Sequence, residues 1–150
     1  MHSFDPNSLV LKLKDAGLKP TRQRLQIARL LFAGGGRHVT AEVLFEETRA
    51  ERYPPSLATI YNALRDFADC GLLREVALYG SKLWYDTTTG PHFHYYFEQG
   101  EELFDMPHAA EPALQIPAPQ GMRITGVDVV VRLKKLSPAV ATLRAHGRDA

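Results

Sequence analysis

The first half of this chain is cut into four short amphipathic segments, each bracketed by residues that start or stop a helix, and that punctuation leaves few folds open. Residues 8–17 carry Leu9, Val10, Leu13 and Ala16 at the spacing of one helical face, and Gly17 follows as a stop. Thr21 is placed to cap a second helix, in which Leu25, Ala28, Leu31 and Phe32 keep that spacing until Gly34-Gly35-Gly36 breaks it. A third helix begins after Thr40 and takes in Val43, Leu44 and Thr48. It is expected to run toward Arg52, where Tyr53-Pro54-Pro55 ends it, because a residue before proline avoids the helical region. Ser56 caps a fourth, with Leu57, Ile60, Leu64 and Phe67 as its buried stripe and Gly71 as its terminator. From Leu72 to Asp86 the residues turn strand-like around Tyr79-Gly80-Ser81, the pattern of a hairpin. Four helices closed by a hairpin predict a winged helix-turn-helix over residues 1–86.

Thr87-Thr88-Thr89-Gly90-Pro91 is short, polar and ends in two breakers, so residues 87–91 are read as a hinge. Beyond it, His92–Glu98 and Leu103–Met106 predict a second hairpin, and residues 107–121 are interrupted by prolines. Arg123–Lys134 holds the apolar run Ile124, Val127, Val129, Val130 and Val131, which suits a central strand or a sheet shared between subunits. Ser137-Pro138 opens a short C-terminal helix to about His146. The predicted class is α+β: an N-terminal winged helix-turn-helix followed by a small α/β domain over residues 92–150. About 60 residues without a disulfide bury too little to stand alone comfortably, which predicts a homodimer.

Cys70 is the only cysteine, so an intrachain disulfide, a CxxC pair and a structural four-cysteine zinc site are excluded. No stretch approaches the roughly 18 apolar residues of a membrane span, and the N-terminus lacks a secretory pattern. A cytoplasmic protein without membrane partners is expected. With 18 Lys and Arg against 17 Asp and Glu the net charge is only +1, which rules out a uniformly basic coat for nucleic acid. The balance is uneven, however. Lys12, Lys14, Lys19, Arg22 and Arg24 stand against Asp5 and Asp15 alone in the first 24 residues, a patch suited to phosphates.

On the fourth helix, Ala58, Thr59, Tyr61, Asn62 and Arg65 project away from the buried stripe. Arg and Asn bond base edges bidentately, a Thr or Ala methyl touches a thymine methyl, and Tyr reaches a phosphate or a base, so this face has the composition of a major-groove helix. The same residues would also make an ordinary solvated face. Lys82, in the hairpin, is placed to hold the adjacent backbone as a wing.

Among six histidines, His2, His108 and His146 carry little signal. His92 and His94 lie two apart on a predicted strand, which points both rings to one side of the sheet with Tyr96 and Glu98. An HxH pair alone is a common surface pattern. Asp86 and Asp105 bracket it, and His38 supplies a third imidazole, giving a mixed N/O set suited to Fe(II), Mn(II) or Zn(II).

Ala16-Gly17-Leu18-Lys19-Pro20-Thr21-Arg22-Gln23-Arg24 resembles the opening of the ferric uptake regulator family. His38-Val39-Thr40-Ala41-Glu42, Ser56-Leu57-Ala58-Thr59-Ile60-Tyr61-Asn62-Ala63-Leu64 and His92-Phe93-His94 resemble its following segment, recognition helix and sensory strand, in the same order. The resemblance implies a homodimeric, metal-sensing transcription regulator, active as a repressor, that binds an inverted-repeat DNA operator. Carried over by motif position, the metal ligands between domains fall on His38, Asp86, His92, His94 and Asp105, and the operator contacts on Tyr61, with Thr59 and Asn62.

Departures narrow the likeness. The CxxC pairs of many relatives are absent, with Phe97–Glu101 standing in place of the first, and Pro91, Phe93 and Val127 replace the usual ligands of a second site. These features resemble the iron response regulator branch, which implies a role in iron and haem homeostasis and makes His92 and His94 candidates for haem. The Cys-Pro motif of some members of that branch is missing, since Gly71 follows Cys70. Aspartate at both acidic positions resembles peroxide-sensing relatives instead, so a peroxide-sensing or Mn/Zn-responsive regulator is the alternative. From other classes, a mononuclear iron enzyme would use HxH and Asp as a facial triad but leave the helical half unexplained. A haem- or metal-storage module would leave the face of residues 58–65 without a use.

Overall fold

The computed structural model describes residues 5–78 and 82–137, and divides into two compact units, Met1–Gly90 and Pro91–Ala150. The expected turn at Tyr79-Gly80-Ser81 and the helix after Ser137-Pro138 lie outside the described residues.

In the first unit, α1 (Pro6–Asp15) is capped by Asp5, whose carboxylate accepts the Asn7 N–H at 3.0 Å. It starts two residues earlier than the apolar spacing suggests. Thr21 caps α2 (Arg22–Phe32), Thr40 caps α3 (Ala41–Thr48) and Ser56 caps α4 (Leu57–Asp69), each through its hydroxyl. Two helices stop in the same way. Gly17 (φ 79°) and Gly71 (φ 80°) take left-handed backbone, and the following Leu18 and Leu72 amides reach back 2.8 Å to the carbonyls of Leu13 and Phe67.

α3 is shorter than expected and does not run toward Arg52. The Thr48 hydroxyl bonds the Phe45 carbonyl at 2.8 Å, and the Glu51 amide turns back to the Thr48 carbonyl, so the last turn tightens and the chain leaves the helix. Leu13, Ile27, Leu31, Leu44, Ile60, Leu64 and Phe67 are wholly buried where the four helices meet. Each large side chain there contributes on the order of 2 kcal/mol through the apolar surface it removes from water.

β2 (Arg74–Val76) and β3 (Trp84–Asp86) form the expected hairpin. A two-residue β1 (His38–Val39), not legible as a strand, pairs antiparallel with β3 and makes it the centre of a three-stranded sheet. Arg37 and Thr87 prolong that pairing: the Arg37 amide donates to Thr87 Oγ1 at 2.8 Å and the Thr87 amide to the Arg37 carbonyl at 3.1 Å.

In the second unit, β4 (His94–Phe97) pairs antiparallel with β5 (Glu102–Asp105) and parallel with β6 (Val130–Leu133). Among the described residues the order is β5-β4-β6, so β4 is central and β6 lies at the edge. This corrects the reading of the valine run as a central strand. The tight turn from β4 gives one side to β5, β6 takes the other, and Ile124, Val127 and Val129 precede the strand. Val131 and Ile124 are left 38% and 43% exposed. Glu98, beyond the end of β4, pairs with Arg132 and Lys134 and ties the turn to β6. The class is α+β as expected, although the helical content of the described second unit is a single 3-10 turn, His108–Ala110. Among the described residues, no helix is long and apolar enough to cross a membrane.

Candidate metal centre and nucleic-acid face

Each unit brings part of the expected donor set together through strand register. In the first, His38 on β1 stands directly across from Asp86 at the end of β3. His38 Nε2 lies 3.2 Å from Asp86 Oδ2, and the Asp86 carboxylate is wholly buried. Its other oxygen accepts the Thr88 amide at 2.8 Å. The carboxylate is therefore fixed in orientation before anything else binds it.

In the second unit, His94 stands across from Asp105 in the β4–β5 ladder. The Nε2 atoms of His92 and His94 lie 3.1 and 3.6 Å from the same oxygen, Asp105 Oδ1. Their rings are tilted by 58° with centroids 4.4 Å apart, so the two nitrogens converge instead of running parallel. Both histidines are buried, and Asp105 is half-exposed. Two neutral nitrogens and a carboxylate at this spacing suit a borderline divalent ion such as Fe(II), Mn(II) or Zn(II). His92 lies two residues before His94, just ahead of β4, and the pairing runs on past the strand's first residue, since the Met106 amide donates to the Phe93 carbonyl at 2.8 Å.

The segment between the two histidines has a support the sequence did not disclose. Glu111 Oε1 accepts the amide of Phe93, the residue between the two histidines, at 3.2 Å, and the Phe93 carbonyl accepts the Met106 amide at 2.8 Å. The Phe93 amide holds the Glu111 carboxyl below its ordinary range, with help from His108 at 3.3 Å. Glu111 stands just ahead of a proline-rich stretch and carries no pattern that would single it out.

The proposed recognition face is present on α4. Ala58, Tyr61, Asn62 and Arg65 are exposed and Thr59 is half-buried. Arg65 donates to the Asn62 side chain at 3.0 Å, Thr59 shares a hydrogen bond with Ser56, and the Tyr61 hydroxyl donates to Glu42 on α3. Lys14, Lys19, Arg22 and Lys82 are exposed. Arg24, counted in the basic patch, is turned inward to Asp66 at 2.9 Å and to the Lys19 carbonyl, so its charge is compensated.

A sequence model described as the Ferric uptake regulator family matches residues 15–132. A peroxide-responsive repressor of Staphylococcus aureus is 33% identical over 96 residues, which span 64% of this chain and 64% of that protein. Among solved structures, the Vibrio cholerae ferric uptake regulator is similar with a TM-score of 0.67 and 25% identity, over 85% of this chain and 99% of that one. The Pseudomonas aeruginosa ferric uptake regulator, solved with manganese, shares the fold with a TM-score of 0.65 at 23% identity, over 89% of this chain and 100% of that one.

Proposed function

Because the chain belongs to the ferric uptake regulator family, we propose that it is a cytoplasmic, metal-responsive, DNA-binding transcription regulator that adjusts iron and haem genes to iron status. The observation that carries this is the convergence of His92 and His94 on Asp105. The winged helix-turn-helix of residues 1–86 binds an inverted-repeat operator, with α4 in the major groove. Residues 87–91 act as the hinge, and residues 92–150 sense the effector and form the homodimer. His38, Asp86, His92, His94 and Asp105 together hold one Fe(II), Mn(II) or Zn(II).

A bound ion of this kind supplies a positive charge shared by donors from both halves. It therefore favours whichever arrangement of the halves lets all five donors reach it, and it changes operator affinity by the difference in its affinity for the two arrangements. Haem held through His92 and His94 is the second effector, in keeping with the likeness to the iron response regulator branch. In this reading His92, His94 and Asp105 serve sensing, in place of the role of an enzyme's iron triad.

The experiment is operator selection from randomised duplexes, followed by affinity at fixed salt for the chelated protein and for protein with Fe(II), Mn(II), Zn(II) or haem. Affinity that changes with one of these supports the reading. Indifference to all four rejects it.

A second reading is favoured by aspartate at both acidic positions and by the likeness to the Staphylococcus aureus peroxide-responsive repressor. In it, Fe(II) promotes oxidation of a ligand histidine. Hydrogen peroxide should then add an oxygen atom to a histidine of Fe(II)-loaded but not Mn(II)-loaded protein, visible by peptide mass spectrometry, and release DNA at the same dose.

A further inference from the structure

The arginines of the first unit fall into two groups. Arg24, Arg29, Arg37 and Arg49 each hold a carboxylate, those of Asp66, Glu51, Glu47 and Glu46. Arg65 is bonded to Asn62, and Arg74 to the Gly90 carbonyl. The side chains of Arg22 and Arg52 have neither a hydrogen bond nor a carboxylate among the described residues. Both instead lay the guanidinium on one ring, that of Tyr53, with Cζ 4.8 and 5.2 Å from its centroid.

Stacking orders a guanidinium without using its donors, since the five N–H groups lie around the edge of the plane and stay available to an anion. The two cations come from different elements, the first residue of α2 and the segment after α3, and Tyr53 brings them together. All three are exposed, Tyr53 by 53%. Two residues, Pro54 and Pro55, separate Tyr53 from Ser56, the cap of α4, so the reach of the chain keeps the Tyr53 Cα within about 11 Å of the Cα where that helix begins.

We propose that Arg22 and Arg52, ordered on Tyr53, clamp the phosphodiester backbone of duplex DNA beside the N-terminal end of α4. This rests on the DNA-binding reading above and adds Arg52 and Tyr53 to the residues that meet DNA. A single small anion on so exposed a surface would be held weakly, because water and salt screen each charge. A strand that offers phosphates in series engages both guanidinium groups at once, and the ring edge gives the sugar an apolar neighbour. Contacts of this kind fix how the protein sits on the duplex and carry no base preference.

The test is fluorescence anisotropy of a labelled random-sequence duplex and of the selected operator across a salt series, with folding checked by circular dichroism. Arg22→Ala and Arg52→Ala should each make the fall of log affinity with log salt shallower by about one unit, and the double variant by about two, equally on both duplexes. Arg52→Lys should restore the steepness. Tyr53→Leu should cost about two- to five-fold in affinity with the steepness nearly kept, since it removes the ordering and not the charge. Folded alanine variants that keep the wild-type steepness, in a protein that does bind DNA, overturn the clamp alone. A wild-type protein with no salt-dependent binding to either duplex removes the DNA-binding reading and the clamp with it.

Discussion

The hydroxyl of Tyr61, on the exposed face of α4, donates to the carboxylate of Glu42 on α3. That hydrogen bond is the main reason the Glu42 carboxyl sits below its ordinary 4.5, with Lys82 assisting, and the main reason the Tyr61 phenol sits above its ordinary 10.0. At neutral pH the pair is thus an ionised acceptor and a protonated donor. The hydrogen bond restrains the phenol on the face proposed to meet DNA.

Tyr61→Phe removes the donor, and Arg65→Ala removes the cation that Asn62 steadies. Each should weaken the selected operator by about ten-fold or more while changing random-sequence affinity little, since a base-edge contact contributes about 1–3 kcal/mol. Lys14→Ala should lower both affinities alike and flatten the salt dependence. Wild-type operator affinity in Arg65→Ala would show that α4 is not the reading helix.

The same pair predicts a pH effect on stability. A carboxyl with a depressed folded value stabilises above its unfolded value and loses that contribution as pH falls through the folded one. The Glu42 contribution is therefore present above about 4.5 and is lost below it. Thermal melts of Glu42→Gln should fall less steeply than wild type on the acid side of that value and run parallel to it at neutral pH. Parallel profiles throughout would mean that the hydrogen bond does not bias folding.

Residue types that act locally were legible in the sequence. Asp5 aside, the caps Thr21, Thr40 and Ser56 and the stops Gly17 and Gly71 stand where their spacing puts them, because capping and left-handed backbone are decided within a few residues. What depended on partners distant along the chain was not legible. β1 is two residues long and exists only because β3 offers an edge to pair with. The edge position of β6 follows from which side of β4 is taken by β5. The candidate donors His38, Asp86, His92, His94 and Asp105 were picked out from residue type, spacing and likeness to the family, but the brace of Glu111 on the Phe93 amide joins residues 18 apart, and no spacing rule reaches it.

The buried Asp86 carboxylate holds the Thr88 amide as well as His38. Asp86→Ala leaves that amide unpaired and should cost about 1–3 kcal/mol, read as a lower denaturant midpoint. Asp86→Asn keeps an acceptor and should recover most of the midpoint. Neither variant should recover metal affinity, because a neutral amide is a poor substitute for a carboxylate donor. If Asp86→Asn binds metal like wild type, Asp86 is a structural residue alone.

The exposed edge of β6 bears on assembly. With no cysteine zinc site for the second unit to depend on, a homodimer of twice 16.8 kDa should persist by light scattering after chelation. Val131, 38% exposed on that edge strand, is the test position. If the sheet continues across subunits, Val131→Glu sets like charges against each other and should shift the protein toward monomer at micromolar concentration. A dimer that tolerates Val131→Glu forms through another surface.

The strongest test of the sensor removes the convergence on Asp105. His92→Ala with His94→Ala deletes two neutral nitrogen donors and leaves an oxygen-rich remainder, which first-row transition metals bind much more weakly. Removing even a residue that supports a ligand commonly costs 10- to 100-fold in metal affinity, so loss of both ligands should exceed about 100-fold. The double variant should remain dimeric and keep its salt-dependent binding to random-sequence DNA, because every DNA contact proposed lies in the first unit. It should no longer change operator affinity when Fe(II), Mn(II), Zn(II) or haem is added. If haem is the effector, the variant also loses the shift of the haem Soret band seen with wild type. If a metal alone is the effector, haem absorption is the same with both proteins. A full effector response in the folded double variant would move the sensor away from these two histidines, with the exposed His108 beside Glu111 as the next donor to remove.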